Sequence, residues 1–247
     1  MEEICLILSG GAARGLAHIG VYKYLTEKGF SLKAISGSSA GAIVGAFIAA
    51  GYTPEAMVDI ALKVSPLKVF KPQIPPKRAF FYNAPVLKFF KSHLPQEFKN
   101  LKIPLYVSAT NLTKGENRIF YEGNLPLAVT ASAALPPFFE PVEIDNELYN
   151  DGGFSNDLPV EPFLSKDCFK LCVDVTPVKP IRGISNWIET TLRSFLISVR
   201  FHKVVKYKFC DLLVIPNLDN LGFINYKRVE EYVERGYNAA KEAFSKI

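Results

Sequence analysis

The chain has 247 residues, 49% of them hydrophobic and 21% charged, with a net charge of +5. That balance excludes a disordered chain and suits a single α/β domain over residues 1–247 with a well-buried core. The mild positive charge fits anionic surfaces or substrates without demanding nucleic acid. Cys5, Cys168, Cys172 and Cys210 lie in apolar runs with no Cys-x-x-Cys pattern, so they are read as reduced core residues, and no metal site is expected. Met1, Glu2 and Glu3 precede an apolar run too short for a secretory signal, and no run approaches the roughly 18 apolar residues of a membrane span. The expected location is cytoplasmic, with any membrane contact peripheral at the inner face.

The first element in chain order is the apolar run Ile4-Cys5-Leu6-Ile7-Leu8, which ends in Ser9-Gly10-Gly11 and leads into a helical pattern over 16–28. A second short strand, Leu32-Lys33-Ala34-Ile35-Ser36, runs into Gly37-Ser38-Ser39-Ala40-Gly41 and an apolar helix that closes at Gly51. This β-α-β-α start predicts a mostly parallel sheet covered by helices, with both loops at carboxyl ends of strands, where α/β folds place their sites. Thr53-Pro54-Glu55 opens a further helix with a good cap. Residues 64–100 hold Pro66, Pro72, Pro75, Pro76, Pro85 and Pro95 and are read as an irregular cap or lid. Beyond it come a strand at 105–109, a turn at 113–116, a hairpin joined at Asp145-Asn146, and strands at 169–175 and 212–215. Trp187, Ile188, Leu192, Phe195 and Val199 recur at helical spacing, as do Val229, Tyr232, Val233, Tyr237, Ala240 and Phe244. Both stripes are expected to face the core.

Gly37-Ser38-Ser39-Ala40-Gly41 fits G-x-S-x-G, a serine nucleophile on a sharp strand-to-helix turn. A serine hydroxyl needs a base within hydrogen-bond reach and donors aimed at the oxyanion it creates. The histidines are His18, His93 and His202, and His202 with an earlier aspartate would complete the Ser, Asp, His order of an α/β-hydrolase triad. The other candidate base is Asp151, in Asp151-Gly152-Gly153 directly after a strand. For the oxyanion, Gly10, Gly11, Ala12, Arg14 and Gly15 offer backbone N–H groups at a helix N-terminus, and Ala40 adds another just after the nucleophile. The loop lacks the order of a nucleotide-phosphate motif.

Taken together, Ser9 to Gly15, Gly37 to Gly41 and Asp151-Gly152-Gly153 resemble the three motifs of the patatin-like phospholipases, in their order and spacing. The resemblance extends through Ala131-Ser132-Ala133-Ala134-Leu135-Pro136-Pro137-Phe138 and Asn156-Asp157-Leu158-Pro159-Val160. It implies a three-layer α/β/α fold and a Ser-Asp dyad without histidine. Ser39 would attack a carboxylic ester, Asp151 would take its proton, and the glycine loop would hold the oxyanion. The implied substrates are phospholipids, lysophospholipids and related acyl lipids, and no metal or organic cofactor is implied. Two positions depart from the family pattern: Ala12 stands where a third glycine is common, and Asn111 where many relatives carry aspartate. The readings that compete with a lipase are the His202 esterase and a lipid-binding module with little turnover.

Between residues 63 and 102 lie Lys63, Lys68, Lys71, Lys77, Arg78, Lys88, Lys91, Lys99 and Lys102 against a single acid, Glu97. Phe70, Phe80, Phe81, Tyr82, Phe89 and Phe90 interleave with them. Such a mixture suits insertion of rings at a membrane interface while cations meet anionic headgroups.

Overall fold

The computed structural model describes residues 3–64, 69, 71–223 and 225–247. Its sheet is built from β1 (Ile4–Leu8), β2 (Leu32–Ser38), β3 (Leu105–Asn111), β4 (Glu116–Phe120), β5 (Val142–Ile144), β6 (Glu147–Asp151), β7 (Phe169–Val173) and β8 (Leu212–Val214). The spatial order is β5-β6-β3-β2-β1-β7-β8, with β4 also on β3. Pairings β2/β3, β1/β2, β1/β7 and β7/β8 are parallel, and those of β4, β5 and β6 are antiparallel.

β1 shows why the sheet is covered on both faces. Successive side chains point to opposite sides, and every residue of Ile4–Leu8 is buried. Ile4, Leu6 and Leu8 join the main core with α1 (Ala17–Glu27), α2 (Ala40–Ala50) and α8 (Val229–Phe244). Cys5 and Ile7 pack on the other face against Leu158, Val160 and Phe163. The stripe on α8 faces the core as expected, and α8 reaches α1 at unusually close range. A Cβ on Gly20 would lie 1.8 Å from the Val233 carbonyl oxygen, and one on Gly236 would lie 1.9 Å from that of Ala17. Only glycine permits the two backbones to meet there.

The cysteines are not reduced. Cys5 bonds to Cys168 and Cys172 to Cys210, each pair with Cα atoms 5.8 Å apart. The parallel register of β1 on β7, with Ile4 opposite Phe169, brings Cys168 beside β1. Sequence spacing across 163 residues carried no trace of that proximity. Such bonds persist in oxidising compartments and in intracellular proteins of hyperthermophiles. No helix of the described residues is long and apolar enough to cross a membrane.

Among the described residues, three α-helices escaped the sequence reading, the last of them the single turn α6 (Gly153–Asn156). Within the cap, α4 (Ala84–His93) begins with Pro85 in its first turn, and α5 (Leu125–Ser132) begins with Pro126 there. Proline breaks a helix interior but suits its first turn, where its missing N–H would have had no intrahelical acceptor. Asn124 caps α5 by accepting the Leu127 N–H at 2.9 Å. The helix α3 (Pro54–Lys63) starts at Thr53 as its cap predicts.

Candidate active site

Where Ser39 and Asp151 meet is decided by β3. Its Val107 and Ser108 pair with both β2 and β4, so those two strands occupy opposite edges. Residues 109–111 pair with both β4 and β6, so β6 continues along the edge that β2 leaves. Ser38 is opposite Ser108 and Asp151 is opposite Ala109. The carboxyl ends of β2 and β6 therefore converge at one point of the sheet, although 112 residues separate Ser39 from Asp151.

Ser39 takes φ 52° and ψ −121°, a strained strand-to-helix turn of the kind that a nucleophile elbow needs. The turn is possible because Gly37 and Gly41 approach their neighbours closely: a Cβ on Gly41 would sit 2.3 Å from the Leu8 carbonyl oxygen. Gly152 plays the same part in the opposing loop, where a Cβ would fall 2.2 Å from the Ser108 carbonyl oxygen. Ser132, on α5, ties the two motifs together. Its hydroxyl oxygen accepts the Ser39 N–H at 2.9 Å, and its carbonyl accepts the Gly152 N–H at 3.1 Å.

The Ser39 hydroxyl donates to Asp151 Oδ2 at 2.6 Å, while Asp151 Oδ1 accepts the Gly153 N–H at 2.8 Å. Burial drives the Asp151 pKa up from 3.8 to about 7, against the two hydrogen bonds that favour its charge. A carboxylate poised there can exchange a proton near neutrality, as general base catalysis requires. Histidine has no part in this contact. His202 lies exposed within α7 (Trp187–Val204), and His93 donates from Nδ1 to the Phe89 carbonyl at 2.9 Å. His18 is fully buried, donating from Nε2 to the Ser9 carbonyl at 2.8 Å. Burial lowers its pKa to about 4, so its ring is neutral at pH 7.

The glycine loop is less open than its sequence suggests. The Gly10 N–H is engaged by Asp157 Oδ1 at 3.0 Å, and the Arg14 N–H by the Gly11 carbonyl at 3.0 Å. The Arg14 guanidinium turns away, bonding the Leu221 carbonyl and lying 4.1 Å from the Phe223 ring centre. Gly15 packs on Ala40, where a Cβ would be 2.4 Å from the Ala40 Cβ. Among the described residues, the N–H groups of Gly11, Ala12 and Ala40 have no protein acceptor. Ala12 adopts φ 47°, the conformation that glycine supplies without strain.

Behind the loop, Asp157 belongs to the Asn156–Val160 block already singled out in the sequence, whereas Lys203 and Asp174 carried no sequence signal. Lys203 on α7 is buried between two carboxylates, 3.0 Å from Asp157 Oδ2 and 2.7 Å from Asp174 Oδ1. It also donates to Thr176 Oγ1 at 2.6 Å, and the Tyr207 hydroxyl donates to Asp174 Oδ2. Burial opposes the charge on Asp174, yet Lys203 holds its carboxyl below the ordinary range. Burial opposes the Lys203 charge too, and the two aspartates raise its pKa nonetheless. Asp157 thus ties the glycine loop to α7 through Lys203. Asn111 is a turn residue: its Oδ1 accepts the Thr113 and Lys114 N–H groups, and its Nδ2 donates to Glu147.

Ser39 and Asp151 open into a cavity of about 570 Å³. Ile43, Phe47, Met57 and Ile60 line it from α2 and α3, Phe81, Val86, Phe89 and Phe90 from the cap, and Leu192, Phe195 and Leu196 from α7. The expectation that the α7 stripe faces the core fails for most of its members: only Val199 is buried, and Leu192 and Phe195 are cavity wall. A wall so rich in apolar groups with polar atoms clustered at one end suits a long hydrocarbon with a single reactive group.

The patatin-like phospholipase profile matches residues 6–164, from within β1 to just past Phe163. The chain belongs to that family. An uncharacterized NTE family protein of Mycobacterium bovis is 28% identical to this patatin-like chain over 98% of it and 46% of the relative. A second NTE family protein of that organism is 35% identical over 65% of the chain and 45% of the relative. Lysophospholipase NTE1 of Cryptococcus neoformans is 26% identical over 99% of the chain and 17% of the relative. The patatin-like chain thus spans half or less of these relatives' length. Among solved structures, VipD from Legionella pneumophila superposes with TM-score 0.56 at 15% identity, over 99% of this chain and 67% of VipD. The type III effector ExoU gives 0.50 at 12% identity, over 99% of this chain and 53% of ExoU. Both likenesses concern the fold.

Proposed function

We propose that this chain is a serine hydrolase of lipid carboxylic esters, a phospholipase A or lysophospholipase, that works through Ser39 and Asp151. The observation that carries this reading is the 2.6 Å hydrogen bond from the Ser39 hydroxyl to a buried carboxylate at the polar end of an apolar cavity. Family membership and the lysophospholipase among the relatives support lipid as the substrate class. In the first half-reaction, a bond forms between Ser39 Oγ and the ester carbonyl carbon as the hydroxyl proton passes to Asp151 Oδ2. The resulting oxyanion faces the open N–H groups of Gly11, Ala12 and Ala40. Collapse breaks the bond to the leaving alcohol, which takes the proton from Asp151. Water then adds to the acyl-enzyme with Asp151 again as base, releasing the fatty acid and restoring Ser39.

The cap completes the substrate path. Phe81, Phe89 and Phe90 turn toward the cavity, while Phe80 and Tyr82 are exposed among Lys71, Lys77, Arg78, Lys88 and Lys91. In this reading those cations meet anionic headgroups at a membrane surface. Lys68 and Phe70 fall outside the described residues. The test is labelling by a fluorophosphonate probe together with a lysophospholipid and phospholipid panel read by mass spectrometry. Wild type is expected to be labelled and to release fatty acid, and Ser39→Ala to do neither. Turnover that survives Ser39→Ala would overturn the assignment.

A further inference from the structure

α7 is exposed in an unusual way. At 100° per residue, Ile197, Phe201, Val204 and Trp187 fall within an arc of about 100°, and all four are exposed. Phe201 is 72% exposed, Trp187 62%, and Val205, which caps the helix on the same arc, 61%. Thr190 and Ser194 fill the arc between them, so this outward face carries no charge. The opposite arc holds Leu192, Phe195 and Leu196, the cavity wall. A helix whose inner face lines a lipid-sized cavity would ordinarily show solvent a polar outer face.

One flank and both ends are cationic. Arg193 and Arg200 lie beside the arc, with Arg182 before the helix and Lys208 after it. The one acid of the helix, Glu189, is turned to its N-terminus and accepts the Ser185 N–H at 2.8 Å. Apolar side chains with a tryptophan at one end and arginines along one border match the boundary between acyl chains and anionic headgroups. A helix of 18 residues is about 27 Å long, and its exposed residues run from end to end, so it would lie flat on such a surface.

We infer that the outer face of α7 is a docking surface for an anionic lipid bilayer, placing a membrane against the far side of the helix that walls the acyl cavity. The inference rests on the lipid-ester reading for its biological sense, but docking is measured apart from catalysis. Trp187 borders a second groove with Pro136, Pro137 and Phe138, and the Phe80 N–H donates to the Pro137 carbonyl at 3.0 Å. The start of α7 and the basic cap therefore flank the same loop. α7 supplies an apolar anchor where the cap supplies charge.

The test is co-sedimentation of the Ser39→Ala protein with vesicles of equal parts phosphatidylcholine and phosphatidylglycerol, and with pure phosphatidylcholine vesicles. The parent should pellet with the mixed vesicles, and Ile197→Ser/Phe201→Ser should bind them about a hundredfold more weakly, tenfold for each apolar side chain lost. Arg200→Ser should reduce binding to the mixed vesicles and leave the weaker binding to pure phosphatidylcholine unchanged. With Ser39 intact, the double variant should hydrolyse a soluble short-chain ester at the wild-type rate, which also shows that it folds. Equal pelleting of parent and double variant would overturn the inference, as would loss of binding only in the cap variant Lys88→Ser/Lys91→Ser. A parent that stays in the supernatant, whether or not it dimerises through this face, would overturn it as well. Failure of soluble-ester hydrolysis in wild type, with vesicle binding still dependent on Phe201, would sink the esterase reading and leave the docking face standing.

Discussion

Asp151→Asn should inactivate the protein and stabilise it, and the gain should depend on pH. The Asp151 carboxyl has a pKa of about 7 in the fold against 3.8 for the ordinary group. Below 3.8 both folded and unfolded chains hold the proton, so ionisation affects neither. Between 3.8 and about 7 the unfolded chain releases its proton while the folded chain keeps it, so stability falls as pH rises. Above about 7 both are ionised and the loss is complete. The interval converts to about 4 kcal/mol at 1.36 kcal/mol per tenfold step. Asparagine removes that loss while its amide oxygen can still accept the Gly153 N–H and its NH₂ can donate to Ser39 Oγ. Urea unfolding of the two proteins should show the Asp151→Asn variant ahead by roughly 1–2 kcal/mol at pH 5 and about 4 kcal/mol at pH 8. The same pKa requires kcat/KM of the wild type on a soluble ester to fall tenfold per pH unit below about 7 as the base takes up a proton. A stability difference that stays constant across this range, or an activity flat down to pH 5, would refute a carboxyl held at the edge of neutrality.

The remaining predictions concern the supports of the site. Lys203→Met leaves Asp157 and Asp174 buried without their cation and should cost about 3–5 kcal/mol in urea unfolding. It should also lower kcat on a soluble ester more than it raises KM, since Asp157 holds Gly10. His202→Ala, on the exposed side of α7, should retain wild-type kcat/KM; a tenfold loss would return the histidine to the mechanism. Gly236→Ala forces a methyl against the Ala17 carbonyl and should lower stability by roughly 1–3 kcal/mol, measurable as a reduced Tm.

The parts of the fold legible in the sequence were those with a local cause. β1, β2 and the elbow helix follow from short apolar runs ending in glycine, and the cap at Thr53 fixes α3. Ser39 and Asp151 were legible because each sits in a glycine motif whose geometry glycine alone allows. α4 and α5 were hidden because Pro85 and Pro126 look like breaks until their place in the first turn is known. The disulfides, Ser132 as a tie between loops, and the Asp157–Lys203–Asp174 cluster depend on strand order and helix placement over long separations. The α7 stripe was assigned to the core from its spacing, and spacing alone does not distinguish a core from a cavity wall or an exposed apolar face.

The position of β7 bears on where this protein can be cut. The family match ends at residue 164, whereas β7, at Phe169–Val173, lies directly beside β1 in the middle of the sheet. A fragment stopping at the end of the match would keep Ser39 and Asp151 but bare one whole side of Ile4–Leu8, five apolar residues with unpaired backbone groups. Such an edge is a template for strand addition between molecules. It would also lose α8, whose Gly236 seats against α1. The motif-bearing segment is thus not a module that can be transplanted alone, and a soluble fragment carrying the hydrogen-bonded Ser39–Asp151 pair has to extend through the C-terminal helix.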